Sequence, residues 1–200
     1  MQRQIWAAAS WLLRRRWRRG QTVAVLAGNG IEHAIIMPTC MHVGIPYAPL
    51  PKTYVRTAAA TGMPARMLQS LSAGVLFCDD PTYLPQCGFD PVGVGDTTLV
   101  MATAADMPTR AQPFQTLLAQ VDGGAVARAY AATGPDTLAK ILFTSGSTSE
   151  PKGVLTTQRM LCASQQARTA CWPFLRWSGP RRSRSTGCPG ATPTAATTIC

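Results

Sequence analysis

Short apolar runs and helix-spaced segments alternate along this chain. TVAVLAGNG, after Gly20, reads as a short buried strand ending in a Gly-Asn-Gly turn. IEHAIIMPTCMHVG follows with helical spacing: Ile31, Ile35 and Cys40 or Met41 fall near one face, and Gly44 marks the stop. Pro38 lies inside that segment, where it should kink or divide the helix. IPYAPL is a second short strand. A strand, a helix and a strand in this order make a crossover unit, and such units build parallel sheets. ARMLQSLS and AGVLFCDD give another helix–strand step, and TTLVMAT a further strand. From Asp106 to Gly134 the pattern is mixed, with a short helix near Phe114–Val121. TLAKILFT is a strand, KGVLTT a strand returning from the loop beyond it, and Thr157 can cap a helix from Gln158 to about Thr169. The expected class is α/β, with a parallel-rich sheet flanked by helices.

The opening MQRQIWAAASWLLRRRWRRG stands apart as a basic N-terminal segment, residues 1–19. Its apolar run Ile5–Leu13 is far too short to span a bilayer. Its Arg cluster follows the apolar run, the reverse of a secretory signal. It reads as a surface helix with a solvated Arg face. No transmembrane segment is expected anywhere, and the expected location is cytoplasmic.

Composition agrees with a buried core: 46% of residues are hydrophobic and 14% charged. The net charge of +10 points toward nucleic acid until its placement is examined. Residues 1–31 carry +6 and residues 151–200 carry +7, while residues 32–150 carry −3. The basicity therefore belongs to the two ends, and nucleic acid is not the expected partner. A basic module using those ends on nucleic acid or anionic lipid is the competing class of function. Seven cysteines with no CxxC, and only two histidines, argue against a structural metal site. Reduced thiols are expected. His33 and His42 lack a third ligand or a nucleophile nearby and read as structural or surface histidines.

The chemistry concentrates in ILFTSGSTSEPKGVLTTQRML, Ile141 to Leu161. A glycine- and hydroxyl-rich turn after a buried strand leaves backbone N–H groups free to bind an anion, and Ser and Thr hydroxyls add donors. Gly146 lets the backbone approach closely. Lys152 supplies a positive charge, and Pro151 stiffens the return limb. The Walker pattern GxxxxGK[ST] cannot be aligned on Gly146 and Lys152.

TSGSTSEPKGV closely resembles the phosphate-binding loop of the adenylate-forming enzymes, the acyl-CoA synthetase and luciferase superfamily, usually written TSGSTGxPKGV. The departure is Ser149, where the family usually has glycine. If that position needs a positive φ, serine costs about 1 kcal/mol. The flanks GPDTLAKILFTSGST and TTQRMLCASQQ, with LAGNGIEHAIIM and CMHVGIPYAPL upstream, are similar to feruloyl-CoA synthase and related aryl-CoA ligases. The resemblance covers roughly residues 20–52 and 69–175 and is weak in PKTYVRTAAATGMP.

The resemblance implies an enzyme that joins a hydroxycinnamate such as ferulate to ATP, releases pyrophosphate, and passes the acyl group to CoA. Thr144, Ser145, Gly146, Ser147, Thr148, Lys152 and Gly153 would hold the ATP phosphates. Lys152 would also be the catalytic group, stabilising charge as it shifts onto departing pyrophosphate. Magnesium would accompany ATP, with its protein ligands outside this chain. Another acyl or aryl acid is the alternative substrate, because the residues shaping the acyl pocket lie mostly downstream.

In the family, the adenine- and ribose-binding motifs and a lid domain with a catalytic lysine also follow further on. The expected organisation is thus the incomplete N-terminal part of the large domain. Residues 20–175 form a partial adenylation domain, and residues 176–200 a basic disordered tail. Back-translated and read one nucleotide earlier, Thr186–Ile199 permits DWLPWSHTYGGNHN, close to the family's next segment, DWLPWNHTFGGNHN. The tail therefore reads as out of frame. ATP binding is expected to be weak or absent, with no CoA ligation by this chain alone.

Overall fold

A strand buried at every residue needs a sheet covered on both faces, and β1 (Thr22–Leu26) is such a strand. The computed structural model describes residues 1–15, 17, 20–57, 62–88, 97–103, 107–144 and 152–171. Within them β1 pairs in parallel with β2 (Tyr47–Pro49) on one side and β3 (Ala73–Cys78) on the other. β3 pairs in parallel with β4 (Thr98–Met101), and β4 with β5 (Gln112–Pro113). Beyond β2 comes β6 (Leu138–Thr144), also parallel, and then β7 (Lys152–Thr157), which runs back antiparallel. The order is β5-β4-β3-β1-β2-β6-β7. The chain forms the expected parallel-rich α/β sheet.

Alternation along the strands divides the core in two. Val23, Val25, Val75, Phe77 and Val100 face one layer, built from α1 (Gln2–Leu13), α2 (Ile31–His42), α5 (Gly123–Ala132) and a 3-10 segment, Phe114–Leu118. Leu26, Leu76, Leu99 and Met101 face the other, where α3 (Lys52–Thr57) brings Val55 and α4 (Met63–Ser70) brings Met67 and Leu68. Each such side chain, fully buried, contributes about 1.5–3 kcal/mol.

Several local expectations change. α1 is a core helix rather than a surface one: Ala7 through Leu12 are all buried. Three consecutive alanines let its backbone lie close to the sheet. The Ser10 hydroxyl donates to the Trp6 carbonyl at 2.7 Å and accepts from the Asp122 amide at 2.8 Å, tying α1 to the start of α5. The Arg15 guanidinium sits 4.7 Å from the centre of the Trp11 ring. α2 runs undivided through Pro38, and its buried face is Ile35, Ile36, Thr39 and Cys40, while Ile31 is 73% exposed. Gly44 ends that helix region as expected, with φ +71°; a Cβ there would meet the Thr133 hydroxyl at 2.9 Å. The helix read near Phe114–Val121 is the 3-10 segment, and α5 emerges from the stretch read as mixed.

The cap expected at Thr157 is present. Its hydroxyl accepts from the Met160 amide at 3.4 Å, and α6 runs Gln158–Cys171. Both histidines are held by structural contacts. His33 Nδ1 pairs with the Gly28 carbonyl at 2.8 Å and must donate to it, so Nε2 accepts from the Tyr47 hydroxyl. His42 stacks on Tyr130 with ring centres 4.6 Å apart. Cys40, Cys78, Cys87 and Cys171 are free thiols.

Candidate functional site

In a parallel sheet every strand delivers its following loop to the same edge, and ligands bind in the crevice at that edge. Here the carboxyl ends of β1, β2, β3 and β6 bring together Gly28–Gly30, Lys52, Asp79–Asp80 and Thr144. β1 is also where connections part, β2 lying on one side of it and β3 on the other.

The middle of that edge is a closed polar knot. Asp79 Oδ2 accepts from the Gly28 amide at 2.8 Å and from Lys52 Nζ at 2.7 Å. Lys52 Nζ also lies 5.3 Å from the centre of the Tyr83 ring. The hydrogen bond from Lys52 to Asp79 is the main reason the Lys52 ammonium is held above its ordinary range. Asp80 accepts from the Thr82 hydroxyl at 2.6 Å and the Thr82 amide at 2.9 Å, and those bonds hold its carboxyl below the usual range. Asp79 Oδ1 is buried with no partner among the described residues. Lys52 is therefore committed to Asp79, which leaves it poorly placed to serve an anionic ligand as well. Sequence reading did not single out this knot; Lys52 and Asp79 are 27 residues apart, and nothing in their local pattern announces the pairing.

At the flank of the edge stands the β6–β7 hairpin. Thr144 pairs with Lys152 and Phe143 with Gly153. The Thr144 hydroxyl donates to the Lys152 carbonyl at 3.5 Å. Thr144, Lys152 and Gly153 are all exposed, at the two strand ends from which the intervening segment springs. The other predicted phosphate ligands, Ser145, Gly146, Ser147 and Thr148, lie outside the described residues, as does Ser149. Lys152 has no ion pair among the described residues. Those residues also contain no group of three His, Cys, Asp or Glu suited to a metal, and no helix long and apolar enough to cross a membrane.

β6 is only partly buried rather than the buried strand expected, with Ala139 and Ile141 packed inward and Leu142 and Thr144 exposed, and it ends with Thr144 at the carboxyl edge of the sheet. The returning strand sets Lys152 opposite Thr144, with no ion pair among the described residues. Thr144 and Lys152 thus stand opposite each other at the exposed end of the hairpin.

Solved structures share the fold, and a family model matches the sequence. No curated protein matches the chain at a significant level. Among solved structures, a protein described as a long-chain-fatty-acid CoA ligase from Rhodopseudomonas palustris superposes with a TM-score of 0.66 at 20% identity, covering 85% of this chain and 40% of its own. ATP-bound MatB from the same organism gives 0.62 at 20% identity, over 86% of this chain and 31% of its own. VinN in complex with 3-methylaspartate gives 0.59 at 16% identity, over 86% and 43%. The chain thus spans less than half the length of the structures it matches. The family model described as AMP-binding enzyme matches residues 1–182, nearly the whole chain. By that match the chain belongs to the AMP-binding enzyme family.

Proposed function

We propose that this chain is the N-terminal part of an ATP-dependent acid–CoA ligase that works through an acyl-adenylate. Thr144, Ser145, Gly146, Ser147, Thr148, Lys152 and Gly153 form its phosphate cradle. The observation that carries this is the hairpin: the hydroxyl run begins where β6 reaches the ligand-facing edge, and Lys152 opens the strand that returns from it. Membership of the AMP-binding family gives the anion its identity.

In this reading the donors of the 144–148 run bind and orient the triphosphate. The Lys152 ammonium stabilises negative charge as the bond to pyrophosphate breaks, and as the acid's carboxylate oxygen bonds to the α-phosphorus. Magnesium supplies further neutralisation of the phosphates when bound, and its protein ligands are not among the described residues. The acid proposed is a hydroxycinnamate such as ferulate, on the strength of the flanking segments around residues 20–52 and 134–166. CoA is the thiol acceptor. Residues 176–200 are proposed to be an out-of-frame translation, which the nucleotide sequence around codon 175 checks directly.

The test is titration of the purified chain with MgATP. Binding by this chain is expected to be weak or absent, and in a gene product repaired to the family frame and length Lys152→Ala should weaken it at least about tenfold. Equal binding of MgATP by the repaired protein and its Lys152→Ala variant would refute the cradle. Supplied with ferulate, ATP and CoA, the chain alone should form no thioester. A gene repaired to the family frame and length should, and should prefer ferulate to palmitate or aspartate.

A further inference from the structure

We infer that Gln158 is a positioning residue for the 144–152 loop, the pin that fixes the β6–β7 arm to the body of the sheet. The inference rests on the phosphate-cradle reading for its functional consequence, though not for its structural one.

The arm is gripped at its base. Toward β2, β6 is joined through a single register pair, Tyr47 with Lys140. Thr144 lies beyond that pair by about 13 Å, at roughly 3.3 Å per residue. On the outer side, β7 is exposed from Lys152 through Leu155, so it offers the tip little lateral support.

At the base the contacts are dense. Gln158 is 6% exposed and the buried residue of α6. Its side-chain Nε2 donates to the Met41 carbonyl at 2.9 Å. Met41 stands in the last turn of α2, where carbonyls lack intrahelical partners, so Gln158 answers a need of the core. Its own amide donates to the Thr137 carbonyl at 3.0 Å, and the Arg159 amide to the Pro135 carbonyl at 2.8 Å. The Arg159 guanidinium meets both Asp136 oxygens at 3.1 Å. That last pair is highly exposed, and such pairs contribute little. The buried amide of Gln158 is the stronger tether.

Leverage turns this contact into a functional one. A rotation of about 5° at the base moves a tip ~13 Å away by ~1 Å, a misplacement large enough to cost catalysis dearly. Gln158 acts at the base of the arm, through the Met41 carbonyl, on where Thr144 and Lys152 stand.

Hydrogen exchange on the full-length chain tests this without any nucleotide. Gln158→Glu keeps the side-chain shape and replaces its donor with an acceptor that faces the Met41 carbonyl; Gln158→Leu removes the polar group. In both, the amides of Gln158 and Arg159 should exchange at least about tenfold faster, the factor expected for loss of a buried hydrogen bond. Amides of β1 and β3 should be unchanged, and Arg159→Ala should stay within about twofold throughout. Unchanged exchange at residues 158 and 159 overturns the pin. So does an equal acceleration in β1 and β3, which would make Gln158 an ordinary core residue. If the unaltered chain binds MgATP, Gln158→Glu must weaken that binding about tenfold, and equal affinity overturns the positioning role. If the unaltered chain fails to bind, the affinity comparison is made in the gene product repaired to the family frame and length, and the exchange result still decides the pin.

Discussion

The sheet's centre and its β6–β7 flank are made of similar residues and are treated oppositely by the fold. β1 and β3 are buried at every position, between helices on both faces. β7 begins with four exposed residues, two of them Val154 and Leu155, which are 47% and 58% exposed. Apolar content is thus no guide to where stability resides; coverage is. The centre supplies cooperativity, and the flank supplies an accessible edge where Thr144 and Lys152 meet solvent. Substitutions should separate the two, global stability responding at the centre and ligand affinity at the flank.

The largest effect should come from Phe77→Ala. Phe77 is 1% exposed and meets Phe114 edge-on, with ring centres 5.9 Å apart, at the junction of β3 and the 3-10 segment. Removing a buried ring costs about 3–5 kcal/mol, a large share of an ordinary domain's stability. Urea unfolding followed by circular dichroism should show it, and a loss below about 1 kcal/mol would mean the centre is not the stabilising region. Lys152→Ala should do the converse, leaving the unfolding midpoint in place while lowering the MgATP affinity of the repaired gene product at least about tenfold. A shift in midpoint comparable with that of Phe77→Ala would erase the distinction between the regions.

Legibility follows the same division. β1, β3 and β4 were plain in the sequence because buried parallel strands read as unbroken apolar runs. The hairpin was plain for another reason: hydroxyls, glycine, proline and lysine in that order are too specific to be mere loop composition. The failures share a cause, tertiary context that overrides local pattern. α1 read as a surface helix because alanine carries a weak apolar signal, although small side chains suit close packing on a sheet. α5 was hidden by Gly123 and Gly124 at its start, although Asp122 caps it by accepting from the Ala125 amide at 2.9 Å. Pro38 does not divide α2, which runs continuously from Ile31 to His42 with Ile35, Ile36 and Cys40 buried on either side of it. Gln158 gave no signal at all, because a glutamine opening a polar helix looks like surface until its contact with Met41 is seen.

A smaller effect belongs to pH and sits where α2 meets α5. His42 is partly buried against Tyr130, and that burial holds its imidazole below the ordinary value of 6.5. The unfolded chain then binds more protons than the folded one as pH falls, so stability should decline on acidification through the ordinary histidine range. The decline should level off once pH is below the folded value. His42→Phe keeps a ring on Tyr130 and removes the titration, so its stability should lose this slope. If the slope persists unchanged in His42→Phe, some other group carries it, and the inner layer is not pH-sensitive at this contact.

The smallest expected change in folding energy is at Leu155, and it is the most informative about the flank. Leu155 pairs with Ile141 across the hairpin but faces solvent on the outermost strand. Replacing it by lysine or threonine removes little buried contact, so stability should stay within about 0.5 kcal/mol. Solubility should respond far more. An edge strand with unpaired backbone groups and exposed apolar side chains invites pairing with another such edge, and a charge on it discourages that pairing. Leu155→Lys should therefore raise the concentration at which light scattering first detects association, with threonine giving a lesser rise because it adds no charge. Association unchanged by either substitution would mean that β7 is already protected in solution, and that the flank is less open than its exposure implies.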